Sequence, residues 1–508
     1  MSRLSFPQKS SEAVSNNVVT AKDLELLVQD QAFIDGCWVK KKQTFNVYDP
    51  STAQVLGTVA DCDLNDIQSA IESANVAQKN FYSSTTAAQR GNLLRKWHDL
   101  VIQNVEDHKD LPIGRILCLE NGKTINEAKG EIAYAASFIA WFAEEATRSY
   151  GDTIPSSTPN TIVLTEKEPV GVCGIITPWN FPAAMISRKV APALAAGCAV
   201  VIKPPSETPF TCLALTKLAL KVEIPGKVIQ VCPTKNRQVA SELATHPLVS
   251  KISFTGSTNV GKNLAILAAG TLKRISLELG GNAPFIVFDD ADVDLAVEGA
   301  MMSKFRCSGQ TCVCANRLYV QRGILGKFTR SLVQKVSELR LGRGIEDSCT
   351  QGPLINASAV NKVKSHIEDA VSKGASVEIG GSAPEVPGFF MQPTVLSGVT
   401  ADMLVARDET FGPLAPIFPF DTEEEVLNLA NSTEFGLAGY IFSGNVARVM
   451  RVARKLEIGM CGVNTGKISA AESPFGGVKE SGYGLEGSKY GMAEYQTIKT
   501  ITLGNLHM

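Results

Sequence analysis

Short apolar runs alternate with amphipathic stretches between residues 169 and 278. The runs occupy 170–177, 199–203, 228–232, 249–254 and 274–278, and between them 182–196, 208–222 and 259–269 carry apolar residues at helical spacing. The runs are short and largely apolar, and read as strands buried on both faces. Such strands joined by helices form a parallel sheet with right-handed crossovers. This is a doubly wound α/β unit, whose ligand sits beyond the carboxyl ends of the strands. The pattern restarts after Gly280 and Gly281, with a strand at 284–288, a helix at 293–305, a strand at 316–320 and further αβ units to about Asn464.

Two segments fall outside both units, 150–167 and the tail from Tyr495 to Leu503. Both alternate Thr, Ile, Val and Leu as edge strands do, and such edges pair with another subunit or cap a sheet of their own chain. The expected division is a cofactor-binding domain at 1–149 and 168–279, a catalytic domain at 280–490, and oligomerisation strands at 150–167 and 491–508.

Composition narrows the function classes. With 508 residues the chain exceeds what one core accommodates, in keeping with two domains. A net charge of −2 provides no broad basic face for nucleic acid, and no run of about 18 apolar residues spans a membrane. Residues 1–20 lack the apolar core of a secretory signal, and Arg3 and Lys9 are their only basic residues. A cytoplasmic location is therefore expected, with the mitochondrion as the alternative. Twelve cysteines without a CxxC pair suit a reducing compartment better than a disulfide framework or zinc site, so no metal is expected. His98, His108, His246, His366 and His507 show no signature of a cysteine protease.

Four motifs carry chemistry. In the run from Phe254 through Gly256, Ser257 and Gly261, a strand ends in a glycine turn that opens a helix; it is either a plain tight turn or a phosphate cradle. In Thr177-Pro178-Trp179-Asn180-Phe181-Pro182 the bland reading is a rigid turn at a helix start, and the functional one is an Asn180 amide aimed at an oxyanion. Cys312, in Gly309-Gln310-Thr311-Cys312-Val313-Cys314, is either a core thiol or an exposed nucleophile. Glu278, flanked by leucines before Gly280 and Gly281, has the surroundings of a partnered carboxylate or one with a raised pKa, and either suits a general base.

Together these motifs resemble the aldehyde dehydrogenase superfamily over essentially the whole chain. The resemblance rests on residues 178–182, Lys203, 254–258, 278–281, 309–312, Glu409-Thr410-Phe411-Gly412-Pro413 and Pro474-Phe475-Gly476-Gly477. It implies the aldehyde dehydrogenase fold: a Rossmann-like parallel-sheet cofactor domain, a second α/β catalytic domain and a small β element for homo-oligomerisation. It implies Cys312 as nucleophile, Glu278 as the base for the hydrolytic water, and Asn180 with the Cys312 N–H as oxyanion hole. For an NAD or NADP cofactor it implies Thr177, Pro178 and Trp179, Lys203 and Glu409 at the riboses, Phe411 at the nicotinamide, and Gly256, Ser257 and Gly261 along the pyrophosphate. Lys189 and Glu486 match positions proposed to relay protons.

Finer likenesses point to succinate-semialdehyde dehydrogenases, namely Lys304-Phe305-Arg306, Ser187-Arg188-Lys189 and 311–317. Two guanidiniums beside an apolar tunnel need a carboxylate, which an ω-carboxylated aldehyde supplies, and Ser469 stands at a third, neutral contact. The competing reading pairs Arg188 and Arg306 with internal acids. A neighbouring semialdehyde such as glutarate semialdehyde is the alternative substrate, and a recruited structural protein of the same fold is the non-enzyme alternative. Two departures stand out, Cys307 where relatives often have Asn and Leu485 where many have Arg. Ser206, third after Lys203, replaces the glutamate common in NAD-restricted relatives, so NADP is expected to serve at least as well as NAD; its alternative role is a helix cap. Cys312 and Cys314, two apart, make a strained and reducible disulfide feasible.

Overall fold

A computed structural model describes residues 29–106 and 113–506. The N-terminal stretch 1–20, His108 and His507 lie outside the described residues. Two large sheets organise the chain. The first has eight strands, with Ile229–Val231, Ala199–Lys203, Val172–Ile176, Val249–Thr255 and Arg274–Glu278 adjacent and parallel. The runs read from sequence form these strands to within two residues at each end. They are buried because helices cover both faces, as in Ala184–Ala196, where every residue is buried and Gly197 closes the helix at φ 91°.

The second sheet has seven strands, with Ala283–Val287 and Ala315–Gln321 parallel near its centre. The four-residue break between the first sheet's Arg274–Glu278 and the second sheet's Ala283–Val287 is the Leu279-Gly280-Gly281-Asn282 link. Gly281 is required there, since a Cβ would stand 2.3 Å from the Cys312 carbonyl oxygen. That close approach ties the nucleophile's turn to the hinge.

The structure redraws the boundary at 490. Gly482–Tyr483, expected in the second domain, pairs antiparallel with Arg274–Glu278 in the first sheet. The chain thus returns across the hinge, which brings Glu486 beneath the first sheet's carboxyl ends. The two outlying segments pair with each other: Gln496–Leu503 runs antiparallel to Ile162–Pro169, and Thr153–Pro155 completes a separate three-stranded sheet. Among the described residues no helix is long and apolar enough to cross a membrane.

Candidate active site

The first sheet adds strands on opposite sides of Val172–Ile176, so its switch point lies between that strand and Val249–Thr255. Past their carboxyl ends is a crevice of about 280 Å³, walled by Pro178, Trp179, Asn180, Gly256, Ser257, Gly280, Cys312, Lys362, Glu409 and Phe411 among others. Helix Thr258–Ala269 opens into it, and Ser257 makes no side-chain cap bond there. The first N–H groups of that helix are thus left for a phosphate, which fits a nucleotide. Phe411 meets the Trp179 ring edge-on at 5.5 Å. Glu409 accepts from the Gly281 N–H at 3.0 Å, and burial pushes its pKa up to about 7.

In the first turn of helix Thr258–Ala269 the Gly261 N–H bonds to the Ser257 carbonyl, and a Cβ there would stand 2.3 Å from Leu279, so this glycine lets the helix pack closely on the link between the sheets. Thr177 is buried just before the crevice wall, its hydroxyl without a partner among the described residues. Lys203 ends the neighbouring strand in register with Ile176. Burial lowers its pKa against the opposing pull of Glu207 and Asp61. Ser206 does not cap the following helix, whose N-cap is Thr208; its hydroxyl donates to the Glu207 carboxylate at 3.1 Å.

Cys312 sits in a turn fed by a left-handed stretch, Cys307 and Ser308 both at φ 53°. Two consecutive non-glycine residues there store roughly 1 kcal/mol or more each. The stretch is held by the Cys307 N–H on Glu127 Oε1 at 2.7 Å and Ser308 Oγ on the Gly352 carbonyl at 2.7 Å. Asn180 Nδ2 donates to the Gln310 carbonyl at 2.9 Å, which uses one amide hydrogen and leaves the other. Burial pushes the Cys312 thiol up to about 12, with Arg188 opposing and Glu278 adding to the rise. Burial therefore favours the thiol form of Cys312.

Glu278 ends its strand with Oε2 accepting from Thr255 Oγ1 at 3.0 Å. Burial pushes its pKa up to about 7, although Arg188 pulls it down. Here a sequence expectation changes. Arg188 is 1% exposed, and its guanidinium pairs with both Glu278 and Glu486, while Lys189 pairs with Glu486 as well. An arginine so buried takes the nearest anions, and the return of the chain after Gly482–Tyr483 supplies one. Arg188 is thus not a free cation awaiting substrate. Burial would raise Glu486, but Arg188 and Lys189 outweigh it and hold that carboxyl below its ordinary range.

Arg306 differs. It is half-buried, lies 5.5 Å from the Phe181 ring, and forms no salt bridge among the described residues. It lines a cleft of about 220 Å³ with Ser469, Tyr134, Phe181, Cys307 and Lys467. Cys314 is buried with Sγ on the Lys304 carbonyl at 3.5 Å, and its thiol is free. Sequence reasoning missed Lys123, Glu127 and Glu131, which reach this site from the Asn121–Thr124 turn and the helix after it. Their only local signal was the capping box of Thr124 and Glu127.

The crevice thus brings together a thiol and an amide donor, with a carboxylate of raised pKa close enough to act on that thiol's charge. Comparison with known proteins agrees: residues 38–501 match the model of the aldehyde dehydrogenase family. The chain belongs to that family and is an enzyme of it. It is 51% identical to a glutarate-semialdehyde dehydrogenase of Pseudomonas aeruginosa, covering 96% of this chain and 99% of that protein. It is 52% identical to a 3-sulfolactaldehyde dehydrogenase of Pseudomonas putida, with coverages of 96% and 99%. The crystal structure of a succinate-semialdehyde dehydrogenase from Burkholderia pseudomallei superposes with a TM-score of 0.92 at 52% identity, over 94% of this chain and 98% of that one.

Proposed function

We propose that this enzyme oxidises succinate semialdehyde to succinate, with glutarate semialdehyde as the neighbouring alternative. The observation that carries the reading is Arg306, which forms no salt bridge among the described residues and shares its cleft with the Ser469 hydroxyl, while the cleft's own carboxylates, Glu127 and Glu131, are taken by the Cys307 N–H and by Lys123. The similar proteins named above act on aldehydes with a carboxylate or sulfonate at the far end, which such a cleft suits.

The Cys312 sulfur attacks the aldehyde carbon, and its proton passes to a base; the tetrahedral oxyanion takes the remaining Asn180 amide hydrogen and the Cys312 N–H. NAD(P), when bound in the crevice, supplies the hydride acceptor for the carbon so formed. Glu278 then takes a proton from water, which attacks the thioester and releases the carboxylic acid and the Cys312 thiol. Lys203 and Glu409 hold the riboses in this reading. Ser206, without a carboxylate of its own, admits the 2′-phosphate of NADP, and Glu207 bonded to it works against that admission. Gln496–Leu503 keeps one edge for a second copy, as a homo-oligomer requires.

A panel of aldehydes with and without an ω-carboxylate, followed by nicotinamide absorbance with either nucleotide, tests this. Succinate semialdehyde should have the highest kcat/KM, Cys312→Ala should abolish turnover, and Ser206→Glu should depress NADP use selectively. Equal efficiency for charged and uncharged aldehydes would remove the substrate assignment.

A further inference from the structure

The Asn180 turn is held from outside by one neighbouring segment. Asn121 Nδ2 donates to the Trp179 carbonyl at 2.8 Å, and Lys123 Nζ donates to the next carbonyl, that of Asn180, at 2.6 Å. Lys123 also pairs with Glu131, lies 3.7 Å from the centre of the Phe181 ring, and both side chains of the pair are 1% exposed. Glu131 Oε1 in turn accepts from the N–H groups of Ala183 and Ala184, at 2.9 and 3.3 Å, where the next helix begins. The turn is therefore gripped on two consecutive carbonyls and at its exit.

A buried lysine–glutamate pair is a weak source of stability, since apolar replacement of such a pair is often neutral or favourable. What this pair does have is direct purchase on the main chain of the residue whose amide faces the reacting carbon. Rotation of the Asn180 peptide would swing that amide off the Gln310 carbonyl and off the oxyanion position together.

We propose that Lys123 is a positioning residue for thiohemiacetal formation and hydride transfer, acting through the Asn180 carbonyl to hold the Asn180 amide in place. This rests on the reading of Asn180 as oxyanion donor. Lys123 touches no reacting atom, and a misplaced donor is expressed in the rate rather than in substrate affinity.

The test is the pre-steady-state burst of reduced nicotinamide with the holoenzyme and succinate semialdehyde. Asn180→Ala alone should slow the burst about 100-fold; an unchanged burst would remove the oxyanion reading itself. Lys123→Met should slow it about 10-fold, with the aldehyde KM and the iodoacetamide alkylation rate of Cys312 within about twofold. In the Asn180→Ala background the same substitution should change the burst by less than about twofold, because its route of action is gone. An undiminished burst in Lys123→Met, or an equal loss in both backgrounds, would overturn the proposal. Lys123→Met/Glu131→Gln guards against misfolding: it removes both charges and keeps the acceptor for Ala183 and Ala184. Recovery of Tm with the burst still slow supports positioning; recovery of both shows the pair to be structural and overturns it.

Discussion

Cys312 lies between two surroundings built on different principles. On one side the Asn180 turn is fixed by hydrogen bonds to main-chain groups, and Arg306 lines its cleft without a salt bridge among the described residues. On the other, Glu278, Arg188, Glu486 and Lys189 form a buried chain of ion pairs. Acylation needs donors that do not reorganise while charge develops, and fixed dipoles meet that need. Hydrolysis needs a group that changes charge during turnover, and coupled ionisable groups meet it. The two arginines look alike in sequence, yet they fall on opposite sides of this division. The nearest carboxylate decided which one stayed available.

The largest effect should come from cutting the hydrolytic side alone. Glu278→Gln is expected to retain a burst of reduced nicotinamide while steady-state turnover falls about 1000-fold. Rapid-mixing absorbance separates the two phases, and a lost burst would mean that Glu278 serves both sides.

Next comes the contrast between the arginines. Arg306→Met should raise KM for succinate semialdehyde by at least about 30-fold, or about 2 kcal/mol, and leave an uncharged aliphatic aldehyde nearly unaffected. Arg188→Met should instead lower kcat for charged and uncharged aldehydes alike and reduce stability by about 3 kcal/mol, because buried Glu278 loses its ion-pair partner and Glu486 keeps only Lys189. Denaturant melts and paired kinetics decide it. The same selective KM loss in both variants would place Arg188 on the substrate side after all.

The pH profile sharpens the division further. With Glu278 pushed up to about 7, the base is deprotonated above that pH and protonated below it. Steady-state kcat should therefore fall as pH drops through about 7, while the burst amplitude persists. In Arg188→Met the limb should move to higher pH, since the guanidinium is what lowers Glu278 against burial. A limb unmoved by that substitution would uncouple the pair.

The smallest expected effect concerns oxidation. Peroxide should inactivate the enzyme and dithiothreitol restore it, and Cys314→Ala should remove most of the reversible fraction. Cys314 points to the Lys304 carbonyl, so pairing with Cys312 requires the turn to rearrange and should be slow. Reversibility unchanged in Cys314→Ala would shift attention to Cys307.

Much of the molecule was legible along the chain. The runs at 199–203 and 274–278 became strands with those same bounds, and for 199–203 the reason is plain, since a strand buried on both faces leaves an apolar block. Cys312, Glu278 and Asn180 were singled out from local motifs whose glycines and prolines are visible in sequence, whereas Glu409 and Phe411 were named only through the family resemblance. The packing of Gly261 on Leu279 was not legible, because a glycine for helix packing and one for phosphate approach look the same in sequence.

The sequence by itself determined the element order, the hinge at Gly280 and Gly281, and the chemical types gathered at the site, because short-range periodicity and turn chemistry are written locally. Only the tertiary structure decided how those groups are partnered. Glu486 is nearly 300 positions from Arg188 in the chain and reaches it because Gly482–Tyr483 returns to the first sheet. Lys123 reaches the Asn180 carbonyl across 57 positions. Electrostatic pairing in a buried site is set by distances of a few ångströms between segments remote in sequence, and no local pattern encodes them.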